Sequence, residues 1–464
     1  MRLYNTLTRQ LDDVLTEDVR SGARPFGMYV CGPTVQDVPH FGHARAALVP
    51  DVMRRVLEHQ GVSVLHVRNI TDVEDKIIAK GREQGRDPAA VSEEYARIYE
   101  IQMRRLGILE PHIVPRATGH IIEMIALIQA LLEVGAAYVV PGDADALPGS
   151  DDVLFSVRSF QRYGRLSGRA IDDMQAGARV EPDPRKQDPA DFTLWKAAKD
   201  GEPSWASPWG PGRPGWHIEC SAMALKYLGG GFDLHTGGTD LIFPHHENEI
   251  AQAEAATGQA YARLWLHNGM LNIDGEKMSK SLGNFITLTE ALDTYGGMAV
   301  RLYYLQHHYR SIAQFSPDRL GEVGAAWRRL TTFVATAAEG GEVQPGAVDK
   351  AMAALADDLN TPEAVSVLFG LVREGNVAVT AGDAGAAADA RATVIAVAGI
   401  LGLDPMPVAG SGPDVAPLVE ALLDLRAKAR EGRDFAASDL IRDALAAGGI
   451  VVEDSRDGVR WRLA

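Results

Sequence analysis

The segment 243–249 reads FPHHENE and places two adjacent histidines and two carboxylates just after a proline. Proline suits the first turn of a helix, so the segment predicts a helix that starts at Pro244. On that helix His245 and Glu249 are four residues apart and share a face, whereas His246 points roughly 100° away from His245. A histidine and a carboxylate at this spacing can hold a metal ion such as zinc. The alternative is an ordinary surface helix.

The segment 39–43 reads PHFGH and stands at a predicted strand-to-helix turn. His40 and His43 are three residues apart and project together, and Gly42 leaves room for a flat ring to approach the backbone. Helix N-termini attract phosphate, and imidazole donors there can stabilise charge that develops on phosphorus. Two solvent-exposed histidines are the alternative.

The segment 276–284 reads EKMSKSLGN, in which Lys277 and Lys280 flank small hydroxyl residues before a glycine. This composition predicts a loop that brings positive charge to a polyphosphate. An exposed basic turn is the alternative.

Only two cysteines occur, Cys31 and Cys220. The N-terminus MRLYNTLTRQLDD has no apolar core of a secretory signal, so we expect a cytoplasmic protein, in which disulfides are rare. Each thiol taken alone is equally well a small core residue. The longest apolar stretch, MIALIQALLEVGAAYVV, is broken by Gln129 and Glu133 and predicts a buried or amphipathic helix rather than a membrane span.

The elements that must position these residues begin with a strand at 27–31, a helix from about Gly42 and a second strand in VSVLHVRN. Strand, helix and strand form a βαβ unit, which predicts a parallel sheet with ligand-binding loops at its carboxyl edge. The sheet is expected to resume in GFDLHTGGTDLIFPHH and in LWLHNGMLNIDG. From about Gly297 onward the pattern predicts helices, with a capping signal at Asn360.

PHFGH and KMSKS, in this order, resemble the two signatures of the class I aminoacyl-tRNA synthetases, with Phe41 at a position where isoleucine is usual. The segments MYVCGPTVQDVPHFGHAR, NITDVEDKII, GRPGWHIECSAM, FDLHTGGTDLIFPHHENEIAQ and DGEKMSKSLGN resemble the cysteinyl-tRNA synthetase family in order and spacing. The resemblance covers nearly the whole chain. Two departures are Thr236, where the family usually has glycine and where we expect an altered loop backbone, and Phe435, where tryptophan is usual.

The resemblance implies an α/β fold: a Rossmann-like parallel-sheet nucleotide-binding domain with a connective insertion, then an α-helical bundle and a small C-terminal anticodon-binding module. We expect the first half of the catalytic domain at 1–106 and the insertion at 107–213. The second half, with the zinc site and the KMSKS loop, follows at 214–296. The stem-contact and helical bundle domain is expected at 297–403, and the linker and C-terminal module at 404–464.

The resemblance also implies the site residues. The zinc ligands map to Cys31, Cys220, His245 and Glu249. The amino-acid pocket maps to Thr71, Trp216 and His235. The ATP site maps to His40, Gly42, His43 and Lys280, with His40, His43, Lys277 and Lys280 as the catalytic groups.

The implied enzyme is a monomeric ligase that forms cysteinyl-adenylate from L-cysteine and ATP and then charges tRNA(Cys). Magnesium would accompany ATP, and one zinc per chain would bind the substrate as a thiolate, which serine cannot provide. No membrane partner is expected. The net charge of −16 repels nucleic acid at long range, so tRNA must meet local basic patches.

Two rival functions stay open. A cysteine ligase of the mycothiol pathway forms the same adenylate but passes cysteine to glucosaminyl-inositol. Such ligases lack the C-terminal RNA-binding module. This chain instead has the segment DFAASDLIRDALAAGGIVVEDSRDGVRWRL, which resembles that module. A non-catalytic RNA-binding protein derived from a synthetase is the second rival, and the intact PHFGH and KMSKS segments argue against it.

Overall fold

The computed structural model describes residues 1–171, 183–273, 287–406, 416–455 and 458–463. The strands within these residues are β1 (Arg2–Asn5), β2 (Gln10–Asp13), β3 (Phe26–Val30), β4 (Val64–Arg68), β5 (Ala137–Pro141), β6 (Asp151–Phe155), β7 (Phe192–Ala197), β8 (Gly212–Pro214), β9 (Phe232–Gly238), β10 (Ala262–Asn268), β11 (Leu271–Ile273), β12 (Ala313–Phe315), β13 (Ile450–Ser455) and β14 (Gly458–Leu463).

The α-helices of the same residues are α1 (Glu17–Arg20), α2 (Phe41–His59), α3 (Asp75–Gln84), α4 (Pro88–Arg105), α5 (Ile121–Glu133), α6 (Trp216–Leu228), α7 (Glu247–Thr257), α8 (Leu288–Tyr295), α9 (Gly297–Leu305), α10 (Pro317–Thr336), α11 (Pro345–Ala356), α12 (Thr361–Ala381), α13 (Ala384–Ile400), α14 (Ala416–Glu431) and α15 (Phe435–Ala447).

The central sheet has four parallel strands in the order β10-β9-β3-β4. Alternate residues of β3 and its end face opposite cores: Met28 packs in the core that includes α2, and Tyr29 and Cys31 pack in the core that includes α6 and α7. Because both faces are covered, every residue of β3 is buried. The predicted α/β fold with a parallel sheet is therefore confirmed. The strand expected at 27–31 is β3, which begins and ends one residue earlier.

A second sheet lies within and just beyond the segment predicted as an insertion. It is antiparallel in the order β5-β6-β7-β8, and it packs with α5 in the same core as Cys220. The boundaries 107–213 remain a prediction.

The sheet resumes in both expected segments, as β9 and β10, but only the first part of each segment belongs to it. The strand β10 ends at Asn268, and β11 pairs with β12 in a separate two-stranded sheet. Between β10 and β11, the buried guanidinium of Arg45 in α2 donates to the carbonyls of Gly269 and Met270. The Met270 carbonyl also accepts a hydrogen bond from the backbone N–H of Ala313, the first residue of β12, at 3.1 Å.

The helices from α9 to α13 follow the pattern predicted from about Gly297 onward, although the short strand β12 interrupts it. Asn360 caps α12 as expected, and its Oδ1 accepts a hydrogen bond from the backbone N–H of Glu363 at 3.2 Å. Among the described helices, α12 alone has the length and apolar content to cross a membrane, but core helices pass the same test. Its buried Leu368 and Leu371 belong to the main core, as in a core helix.

The chain divides into two compact units, residues 1–405 and 406–464. The second unit contains α14, α15 and an antiparallel hairpin in which Ile450 pairs with Leu463. The expectation of helices to the end of the chain is therefore wrong for this hairpin. Its first strand begins with the run IVV, whose β-branched residues favour extended backbone.

Candidate functional site

The two cysteines, His245 and Glu249 meet at the carboxyl edge of the central sheet. Cys31 directly follows β3, Cys220 lies in α6, and Glu249 lies in α7. One ligand atom from each of the four residues lies within 4.8 Å of the others, and the two Sγ atoms are 3.6 Å apart. Two thiols, an imidazole and a carboxylate form a donor set that zinc accepts.

Two atoms of this cluster have no hydrogen-bond partner among the described residues, although both are fully buried. His245 Nε2 and Glu249 Oε1 are 3.0 Å apart but do not make a hydrogen bond with each other. A buried polar atom without a partner costs about 1–3 kcal/mol, so such atoms call for a ligand. A cation held between them and the thiols would satisfy both.

The local backbone explains why His245 and Glu249 share this position. Phe243 is extended (φ −142°, ψ 132°) and interrupts the π-type turn Ile242–His246. Helical geometry resumes at Pro244 and continues into α7. The expected helix start at Pro244 is therefore confirmed.

His246 was expected to point away from the helix face that His245 and Glu249 share, but in the structure it also approaches Glu249. His246 Nε2 lies 3.9 Å from Glu249 Oε1, and His235, His246 and Glu249 form a second possible ligand group. The signal in the sequence was the spacing of three residues between His246 and Glu249, which also brings helical neighbours together.

Several buried groups orient the four residues. Glu249 Oε2 lies 2.8 Å from His235 Nε2 and accepts a hydrogen bond from the Tyr261 hydroxyl at 3.0 Å. The His217 and His245 Nδ1 atoms are 2.9 Å apart, and the Trp216 ring stacks on the His245 ring at 4.2 Å. Outer partners of this kind fix the tautomer and direction of metal ligands. Tyr261 and His217 were not predicted, because no short motif links them to Glu249 and His245.

Burial sets the protonation of the cluster. It lowers the pKa of His245 well below its usual value, so the imidazole is neutral and can act as a ligand. The hydrogen bond with Cys31, together with burial, raises the pKa of the Cys220 thiol well above its usual value. The thiols therefore stay protonated without a cation, and a bound divalent ion would favour thiolate.

The predicted amino-acid pocket residues lie on three elements around the cluster. Trp216 begins α6, His235 lies in β9, and Thr71 follows β4. Trp216 and His235 contact the predicted ligands directly. Thr71 instead donates to Oε2 of Glu219, a buried carboxylic acid next to Cys220 that was not predicted from the sequence.

Thr236 lies in β9 rather than in a loop, so the expectation of an altered loop backbone is wrong. Its backbone pairs with Val30 across the parallel strands, and its carbonyl accepts from the Cys31 N–H at 3.0 Å. Extended backbone accepts threonine readily because β-branched residues favour strands.

The two histidines of PHFGH cap the N-terminus of α2. His40 Nδ1 accepts from the Gly42 N–H at 3.1 Å, and His43 Nδ1 accepts from the His40 N–H at 3.2 Å. Their rings stack at 3.8 Å. A Cβ atom on Gly42 would lie 2.9 Å from the His40 ring, so the glycine makes room for that ring.

This capping also decides the tautomers. Since each Nδ1 accepts, each neutral ring carries its proton on Nε2, which becomes the donor available to an anion. Burial and the neighbouring His40 lower the pKa of His43 to about 3, so this ring is neutral at physiological pH. The other predicted catalytic groups, Lys277 and Lys280, lie outside the described residues.

Comparisons with known families identify three regions. Residues 19–324 match the tRNA synthetases class I (C) catalytic domain. Residues 350–403 match the DALR domain, and residues 412–462 match the cysteinyl-tRNA ligase anticodon binding domain.

Full-length relatives agree with these matches. The chain is 44% identical to a cysteine–tRNA ligase of Heliobacterium modesticaldum and 46% identical to one of Pseudomonas aeruginosa, each over 100% of both chains. A methionyl-tRNA synthetase of Mycobacterium tuberculosis, solved with methionyl-adenylate, shares the fold with a TM-score of 0.58 and 17% identity. That match covers 89% of this chain and 96% of the other. The chain belongs to the cysteine–tRNA ligase family of the class I aminoacyl-tRNA synthetases.

Proposed function

We propose that this enzyme joins L-cysteine to the 3′ end of tRNA(Cys) and holds the substrate thiolate on a zinc ion. The observation that carries the zinc assignment is the convergence of unpartnered, buried His245 Nε2 and Glu249 Oε1 with two thiols. Family membership supports the ligase reaction. The proposed ligands are Cys31, Cys220, His245 and Glu249.

When bound, zinc would supply a Lewis acid that keeps the substrate sulfur deprotonated and distinguishes it from a hydroxyl. The protein's own groups then orient the ligands. His235 and Tyr261 hold Glu249 Oε2, which leaves Oε1 directed at the cluster. Trp216 and His235, with Thr71 nearby, are the proposed walls of the amino-acid pocket.

The first chemical step is attack of the cysteine carboxylate on the α-phosphorus of ATP, which forms the adenylate and releases pyrophosphate. The Nε2–H groups of His40 and His43 are the proposed donors to the phosphate oxygens, at the N-terminus of α2. Lys280, with Lys277, is proposed to neutralise the leaving pyrophosphate, and magnesium is proposed to accompany ATP.

In the second step a ribose hydroxyl of tRNA attacks the carbonyl carbon of the adenylate, and AMP leaves. Neither step needs a side-chain nucleophile, so catalysis rests on positioning and electrostatics. We also propose that the enzyme is a cytoplasmic monomer that recognises tRNA(Cys) through its C-terminal module.

Cysteine-dependent exchange of pyrophosphate into ATP tests the first step, and a choice of acceptors tests the second. We expect exchange that depends on L-cysteine and charging of tRNA(Cys), with no transfer to glucosaminyl-inositol. Transfer to the amino sugar alone would support the mycothiol-pathway rival. The absence of exchange in folded, zinc-loaded protein would support the non-catalytic rival.

A further inference from the structure

A pocket outside the proposed active site lies between β4, α4 and the segment that follows α4. Its volume is about 120 Å³, close to the ~150 Å³ of an apolar cavity that binds benzene. Much of its wall is apolar, formed by Ile70, Met103, Ile108, Leu109, Pro111 and Val114. None of the residues assigned above to metal, cysteine or ATP lines it.

Arg68 brings a positive charge into this apolar pocket. It is the last residue of β4, it is 6% exposed, and its guanidinium stacks over the Tyr99 ring at 5.3 Å. Its Nη1 is buried and has no hydrogen-bond partner within the described ranges. A buried guanidinium nitrogen without a hydrogen-bond partner is costly, so this group favours a ligand that supplies an acceptor oxygen.

The other charges that line the pocket decide which anion fits. Arg104 Nε donates to Glu110 Oε1 at 2.7 Å, so these two charges already neutralise each other. Glu100 also lines the pocket. Two arginines and two glutamates leave the lining with a formal charge of 2 − 2 = 0. A neutral lining has no excess positive charge for a polyphosphate, and Arg68, the arginine outside the Arg104–Glu110 pair, is the group available to a single carboxylate.

We propose that this pocket is a binding site for a small monocarboxylate with a short apolar or aromatic body. The carboxylate would pair with the Arg68 guanidinium, whose planar fork matches it, and the body would contact Met103 and Val114. The site is independent of the proposed ligase reaction.

The test is a titration of the full-length protein with benzoate, in which binding is monitored by ligand-observed NMR. We expect saturable binding of benzoate and binding of the neutral probe benzyl alcohol that is weaker by about tenfold or more. Addition of L-cysteine and ATP should not displace benzoate. Displacement by either, or tighter binding of inorganic phosphate than of benzoate, would overturn the proposal.

Arg68→Met keeps an unbranched side chain over Tyr99 but removes the charge, and it should weaken benzoate binding about tenfold or more. The matched control is Arg97→Met, an exposed residue of α4 paired with Glu93, which should bind benzoate like the parent. Equal binding by Arg68→Met and the parent would contradict the role of Arg68.

A second pair of variants covers the case in which Arg68→Met fails to fold. Val114 is 41% exposed and lines the pocket, so Val114→Trp should block it without disturbing the core, while Val114→Ala should leave it open. We expect loss of benzoate binding only in Val114→Trp. Undiminished binding in that variant, with an unchanged melting temperature, would refute the assignment.

Discussion

At the scale of single residues, the clearest feature of the molecule is that its two cysteines are brought together although 189 positions separate them. Both are buried, and neither forms a disulfide. Beside them stand two unpartnered polar atoms of His245 and Glu249. A purely structural pair of thiols would not require those atoms to remain unpaired.

Cys31→Ser and Cys220→Ser should each lose bound zinc and cysteine-dependent pyrophosphate exchange together, because serine is a far poorer zinc ligand than thiolate. Elemental analysis and the exchange assay measure the two properties. Ser221→Ala, at the buried neighbour of Cys220, is the control and should retain the metal. Active parent protein that contains no zinc would contradict the assignment.

Activation should be selective for cysteine over serine without a separate editing reaction. Shape alone distinguishes such small differences by only about 10–200-fold, whereas the proposed metal–thiolate contact exceeds that. The measurement is the ratio of kcat/KM for the two amino acids in pyrophosphate exchange. Comparable values would exclude a thiolate contact during activation.

His66 of β4 should make the fold sensitive to acid. Burial, with Arg68 and Arg54 as additional causes, lowers its pKa to about 3, and neither ring nitrogen has a partner in the described part of the chain. The folded state therefore holds His66 neutral. The stability that the neutral His66 ring contributes is fully present above about pH 6.5, the pKa of histidine in the unfolded chain, and is lost as the pH falls towards 3.

When the pH is lowered from 7.5 to 5, the free energy of unfolding of His66→Leu should therefore fall by about 2 kcal/mol less than that of the parent. Urea denaturation at the two pH values measures this difference. The remaining buried histidines are present in both proteins, so the comparison isolates His66. Identical pH dependence in the two proteins would disprove the prediction.

At the scale of elements, a buried ion pair joins the helix of PHFGH to the helical region. Asp51 of α2 pairs with Arg301 of α9, and both side chains are fully buried. Arg55 also binds Asp51, and Arg301 donates to the Leu401 carbonyl at 2.8 Å. The position of α2, and with it His40 and His43, therefore depends on contacts with distant segments.

Asp51→Asn should destabilise the protein by about 3–5 kcal/mol, because it leaves the Arg301 charge buried without its partner. Thermal unfolding followed by circular dichroism measures the effect. The matched control is Asp357→Asn, which removes an exposed pair with Arg2 and should cost about 1 kcal/mol or less. Equal melting temperatures for the two variants would contradict this account of the α2 contacts.

At the scale of the whole molecule, the charge is unevenly distributed. The chain carries −16, but the residues from Asp424 to the end contain eight bases and eight acids and are neutral. This segment belongs to the second compact unit, in which Phe435 is 63% exposed. A neutral segment with arginines and an exposed aromatic ring is less repulsive to RNA than the chain as a whole, and we propose that it recognises the anticodon.

Removal of the residues after Pro405 should leave cysteine-dependent pyrophosphate exchange nearly intact and raise the KM for tRNA by about tenfold or more, because phosphate and base contacts are lost. Both activities are measured on one preparation whose folding is checked by circular dichroism. Unchanged tRNA charging would eliminate the anticodon role. Loss of both activities together would indicate a tail that only stabilises the fold.

Features that depend on neighbours along the chain could be predicted from the sequence. The βαβ unit follows from the period of apolar residues, and the cap at Asn360 follows from a local hydrogen bond. The proximity of His245 and Glu249 follows from helical spacing. The signature segments also sufficed to recognise the family, since their order and spacing are specific.

Only the tertiary structure decided the features that depend on distant segments. The contacts of Glu249 with Tyr261 and of His217 with His245 arise because different elements converge at one sheet edge. Arg45 donates to a carbonyl between β10 and β11 that lies more than 200 positions away along the chain. No local period encodes such contacts, because packing of the whole core selects which side chains meet. The charge of Arg68 in an apolar pocket belongs to the same class.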